Sequence, residues 1–148
     1  MKTALLTFAL ASFAALFSAG SAHAQATPVG LWKTIDDETK QERSLVRIND
    51  EAGVLSGRIE KLLDPTKADS KCDKCTDGRK DQPIAGMTII TGAKKEAGAE
   101  QWSGGSILDP NNGKSYKLRL TPMDGGKALE VRGYVGFLFR NQTWIRVE

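Results

Sequence analysis

The sequence predicts an all-β fold: a small antiparallel up-and-down β-barrel of about eight strands, interrupted by one charged, cysteine-bearing loop. Three observations carry the prediction. Apolar and polar residues alternate with period two in short runs. Clusters of Gly, Pro, Asn and Asp separate those runs. No helical stripe runs through the segment that follows the first two dozen residues. Antiparallel sheets of this length usually hide their edges by closing on themselves, and glycines inside the runs (Gly57, Gly104, Gly105, Gly133) suit tight barrel corners.

The first element lies outside the barrel. Residues 1–24 read as a secretory signal peptide: Lys2 supplies a positive start, Ala4 to Phe17 a short apolar run, and Ala22-His23-Ala24 a small-x-small cleavage site. That run is too short to cross a bilayer, and no later stretch approaches the roughly 20 apolar residues a spanning helix needs. The signal holds no cysteine, so lipid attachment at a cysteine just after cleavage is not available. Cleavage near Ala24 then leaves residues 25–148 as a single β-barrel domain, periplasmic or secreted, with no transmembrane anchor. It also removes His23, the one histidine among the 148 residues. A mature chain without histidine runs no Ser-His-Asp triad, Cys-His dyad or His-ligated metal site. One lysine and no acid leave with the signal, so the formal charge of +3 falls to +2. Acids and bases are interspersed, which gives no case for nucleic acid.

Gly30 to Asp36 opens the barrel and Arg43 to Asn49 follows. Asn49 to Gly53 reads as a turn. Val54 to Leu62 sets Leu55, Gly57 and Ile59 on one face against Ser56, Arg58 and Glu60 on the other, so the pair reads as a hairpin. Downstream, Gln101 to Leu108 holds Gly104-Gly105 in its middle, a bulge or sharp bend. Asp109 to Gly113 is a turn, and Ser115 to Thr121 points Tyr116, Leu118 and Leu120 inward and Lys117 and Arg119 outward. Asp124-Gly125-Gly126 leads into Ala128 to Val135, and Gln142 to Val147 closes the chain. Large aliphatic residues are few, so Trp32, Tyr116 and Trp144 are expected as core or barrel-end packing.

The long interruption runs from Leu63 to Ile84. Within it, 10 of the 18 residues from Asp64 to Asp81 are charged, and Cys72-Asp73-Lys74-Cys75 holds the only two cysteines. In an oxidising compartment such a pair is expected as a structural disulfide. A redox-active pair and a metal site are the alternatives. The first lacks the βαβ setting of a thioredoxin-type motif, and the second lacks two of the four ligands that zinc takes. Asp109-Pro110-Asn111-Asn112-Gly113 imitates a calcium loop only briefly and reads as a plain turn. With no histidine and no signature nucleophile, no enzyme is expected, and neither cofactor nor metal is. Asn141-Gln142-Thr143 matches a glycosylation sequon but runs into a predicted strand. Trp102 beside Ser103-Gly104-Gly105, and Tyr134 beside Arg132, are the candidate ligand-binding residues.

Eight blocks occur in a fixed order: Gly30 to Thr34, Cys72 to Cys75, Pro83 to Met87, Trp102 to Gly105, Ile107 to Pro110, Asn112 to Tyr116, Val131 to Tyr134 and Gln142 to Arg146. Together they closely resemble the bacterial secreted family catalogued as domain of unknown function 2147. That resemblance implies a bacterial envelope protein and no established activity. A looser resemblance is to the lipocalin superfamily, where a Gly-x-Trp in the first strand packs with a basic residue near the end of the last strand. Gly30, Trp32 and Arg146 fit that pattern and would close one end of the barrel.

Three functional readings follow. One is a periplasmic lipocalin-like barrel that binds a small, partly apolar ligand in its mouth. Another is an envelope structural or interaction module with a filled barrel, presenting the Asp64–Asp81 loop to a protein partner. The remote one is a redox- or metal-linked protein built on Cys72 and Cys75.

Overall fold

The computed structural model describes residues 26–148. The signal segment 1–24 lies outside the described residues. Eight strands follow in order: β1 (Gly30–Ile35), β2 (Glu42–Glu51), β3 (Val54–Leu62), β4 (Thr88–Lys95), β5 (Trp102–Asp109), β6 (Lys114–Met123), β7 (Ala128–Val135) and β8 (Leu138–Arg146). Each pairs antiparallel with the next, and β8 returns to β1, giving a closed up-and-down barrel. Short 3₁₀ turns at Pro65–Lys67 and Asp124–Gly126 are the helical elements among the described residues. None is long and apolar enough to cross a membrane.

The alternation of the sequence becomes an inside and an outside. Trp32, Val46, Ile48, Leu55, Ile59, Ile90, Leu118, Leu120, Leu129 and Trp144 are buried. The strand registers stack them across the interior: Val46 opposite Trp32 and Ile59, Leu120 opposite Trp102 and Val131, Leu129 opposite Trp144. Side chains therefore fill the barrel. Burying each large apolar one contributes roughly 1.5–3 kcal/mol. Two hydroxyls share this interior and satisfy each other, with Thr34 Oγ1 2.8 Å from Ser44 Oγ.

Closure between β1 and β8 is short. Register pairs join Trp32 to Arg146 and Lys33 to Ile145, extended by Leu31 N donating to Glu148 O at 2.9 Å and Val147 N to Leu31 O at 2.8 Å. Side chains complete this end. Trp32 Nε1 donates to Pro28 O at 2.6 Å, and the Arg146 guanidinium lies 4.2 Å over the Trp32 ring. The same guanidinium donates to Val29 O at 2.8 Å, to Thr27 O at 2.5 Å and to Gly126 O. Gly30, Trp32 and Arg146 thus meet at one end, the closed end. The other end is the mouth, where the β1–β2, β3–β4, β5–β6 and β7–β8 connections lie. There Arg140 and Asp37 form an ion pair at 2.9 Å across the β1–β8 seam.

Several boundaries differ from the sequence reading, each for a local reason. The turn expected over Asn49–Gly53 is a two-residue loop, because Ala52 and Gly53 both adopt positive φ and the ladder runs on to Glu51 opposite Val54. The β3–β4 interruption continues to Met87, whose carbonyl accepts from Ile59 N at 2.9 Å. β8 begins at Leu138 rather than Gln142, since Leu138 to Asn141 are exposed and carry no apolar alternation. The Gly104-Gly105 bend is a register irregularity between Ser103 and Ser106, and a Cβ on Gly105 would strike the Thr91 carbonyl and the Ala93 amide of β4.

Candidate ligand-binding site at the barrel mouth

The cysteine loop builds one wall of the mouth. Cys72 and Cys75 are joined in a disulfide and both are buried. Backbone bonds hold the loop around them: Cys72 N donates to Gln82 O, Asp81 N to Cys72 O and Ile84 N to Ser70 O, each at 2.9 Å. Cys72 Sγ rests 3.6 Å from the Pro110 carbonyl oxygen. At Gly113 a Cβ would collide with the Lys74 backbone, so only glycine lets the β5–β6 turn meet the loop. The disulfide therefore sits where the loop meets the β5–β6 turn. Cys72, Cys75, Ile84 and Met87 join the buried cluster of the barrel.

An open groove of about 630 Å³ lies between this loop and the ends of β6 and β7. Its lining includes Lys74, Asp77, Lys114, Tyr116, Tyr134 and Val135. Asn112 Nδ2 donates to Tyr116 Oη at 2.9 Å and fixes that hydroxyl at the rim. Asp77 is engaged by Arg79 at 2.6 Å; bonds from the Arg79 side chain and amide lower its pKa from 3.8 to about 2. Lys74 and Lys114 form no ion pair among the described residues, and both line the groove together with Tyr116 and Tyr134. Such a surface suits a small, partly apolar anion. A second open groove, of about 430 Å³, runs along the outside by Arg58, Arg79, Pro83 and Met87. Among the described residues no cluster of three or more His, Cys, Asp or Glu side chains is placed to hold a metal ion.

The three candidate ligand residues are not brought together. Trp102 is buried opposite Leu120 at the closed end, with Lys95 Nζ 5.4 Å from its ring centroid. Arg132 and Tyr134 lie on the outer face of β7, opposite the outward Arg119 and Lys117. Only Tyr134 reaches the groove. Sequence reading missed Lys74, Asn112 and Lys114, and it placed Tyr116 as core or barrel-end packing without assigning it to a groove. Tyr116 does share the inward parity of Leu118 and Leu120, but it lies at the strand's open end.

A closed eight-stranded meander with a Gly-x-Trp and a terminal arginine at one end defines a lipocalin-like barrel. The family model described as "uncharacterized protein conserved in bacteria (DUF2147)" matches residues 30–146, and the chain belongs to that family. Among solved structures it is similar to protein HP1028 from the human pathogen Helicobacter pylori, described as belonging to the lipocalin family. The TM-score is 0.71 and the identity 20%, over 83% of this chain and 84% of that one. No curated protein matches the chain.

Proposed function

We propose that this is a non-enzymatic binding protein of the bacterial envelope, working in the periplasm or outside the cell. It takes a small, partly apolar, anionic ligand at its mouth. One observation carries the reading: the interior is filled by Trp32, Trp102, Trp144 and their aliphatic neighbours, while the mouth groove stays open between two tyrosines and two unpaired lysines. Small barrels either hold one ligand or are filled by their own side chains, and here the binding surface moves to the rim. The test is a titration with anilinonaphthalene sulfonate, an aromatic anion used as the probe, beside native mass spectrometry of protein from its own host. Dye binding weakened about tenfold in Tyr116→Ala supports the rim site, a loss of roughly 1.4 kcal/mol. Equal binding by that variant, with no co-purified small molecule, sinks it.

The filled interior also favours the interaction-module reading, with the Asp64–Asp81 loop as the presented surface. Against the redox reading stand the complete burial of Cys72 and the packing of the loop. A reduction potential below about −300 mV would mark the pair as structural.

A further inference from the structure

The β7–β8 hairpin ends in an exposed apolar apex, of which Val135 alone also lines the groove. A two-residue loop, Gly136-Phe137, joins Val135 to Leu138. Phe137 is 94% exposed, and Val135, Leu138 and Phe139 are each more than half exposed. Four large apolar side chains therefore stand in water on one hairpin apex, whereas scattered single apolar residues are the norm on soluble surfaces. Behind the apex, the outer face of β6–β8 is cationic. Lys117, Arg119 and Arg132 lie there beside Glu130, and Arg140 and Lys114 flank the rim. The Arg132 guanidinium sits 4.2 Å over the Phe139 ring and that of Arg119 5.7 Å over Tyr134. Three carboxylates take part: Glu130 lies 3.3 Å from Arg132, Glu96 3.7 Å from Arg119, and Asp37 2.9 Å from Arg140. Lys114 and Lys117 make no ion pair among the described residues, so the collar stays net positive.

We infer that this hairpin tip docks the protein on an anionic lipid bilayer. Val135, Phe137, Leu138 and Phe139 enter the boundary between headgroups and acyl chains, and Lys117, Arg119 and Arg132 meet the lipid phosphates. Shape and charge select this occupant over a second copy of the chain. The patch is a hairpin apex with its four apolar side chains each more than half exposed, so a fluid phase can surround it while a flat protein face cannot. A second copy would also bring one cationic collar against another.

The experiment is co-sedimentation of protein from its native host with vesicles of equal parts phosphatidylglycerol and phosphatidylcholine, and with phosphatidylcholine alone. Pelleting is expected with the anionic vesicles, weakening as salt rises. It should fall about tenfold in Phe137→Ser/Leu138→Ser, two exposed positions outside the buried core, with circular dichroism checking that the barrel is kept. A Phe137→Trp variant should keep binding and show blue-shifted, lipid-quenched emission. Three results overturn the inference. These are no pelleting on anionic vesicles, undiminished pelleting of the serine variant, or a dimer that the serine variant dissociates without any vesicle binding.

Discussion

Arg146 ties several chain segments together at the closed end, lying over Trp32 and donating to the carbonyls of Thr27, Val29 and Gly126. Desolvation there pushes its pKa down from the usual arginine range, so its hydrogen bonds work in a partly shielded site. Arg146→Ala should lower the unfolding free energy by about 2–4 kcal/mol, since three carbonyls lose their donor and the ring its cation. Arg146→Lys should rescue little, because one ammonium cannot match a planar fork. Urea denaturation reads both; a loss below about 0.5 kcal/mol would contradict the closing role. Residue chemistry also sets the acid limit. The amide and hydroxyl of Thr39, and Arg43 beside them, lower the Asp36 pKa from 3.8 to about 2, and Arg79 does the same for Asp77. A depressed folded pKa means the contribution is present above the unfolded value and is lost as pH falls through the folded one. Stability should therefore drop between about pH 4 and pH 2. Asp36→Asn should flatten part of that slope in thermal melts taken across the range.

At the scale of elements, the cysteine loop and the β4–β5 pair depend on close approach. Replacing Cys72 and Cys75 by serine opens a very small ring, so the entropic model gives a loss of about 2 kcal/mol. Burial adds a local consequence: amide exchange should speed up at Cys72, Asp81 and Ile84 while the β6–β8 amides stay protected. Uniform loss of protection would show that the loop is part of the barrel's cooperative core. Gly105→Ala should cost about 3 kcal/mol, because a Cβ there meets β4 backbone rather than a movable side chain. The strands with strict alternation, β3 and β6, were readable with their inward residues, since period two has one physical interpretation in a half-buried sheet. β4 was not bounded, because Ile89 and Ile90 are consecutive and both buried and Gly92 sits at positive φ. The start of β8 was missed for the opposite reason: Phe137, Leu138 and Phe139 are apolar yet exposed, so they carry no signal of an inside.

Over the whole molecule, the open groove lies at the barrel's mouth rather than at its centre. Large side chains are buried through the interior, while loop, groove and hairpin tip gather at the end opposite Arg146. This geometry scatters the candidate ligand-binding residues. Trp102 went to the closed end, and Arg132 to the outer wall. Their neighbourhoods depend on strand register, which relates residues far apart in the chain.

The sequence by itself determined the meander, the inward faces of its regular strands, the closing set Gly30, Trp32 and Arg146, and the absence of histidine after residue 23. The meander, its inward faces and the histidine count follow from local rules, namely side-chain period, turn chemistry and composition, whereas the closing set rests on the resemblance to the lipocalin superfamily. Only the tertiary structure decided that the barrel is full, that the disulfide is buried against the β5–β6 turn, and that Tyr116 and Tyr134 share a groove with Lys74 and Lys114. Those features are sums over contacts between distant segments. Volume and register, not pattern, set them.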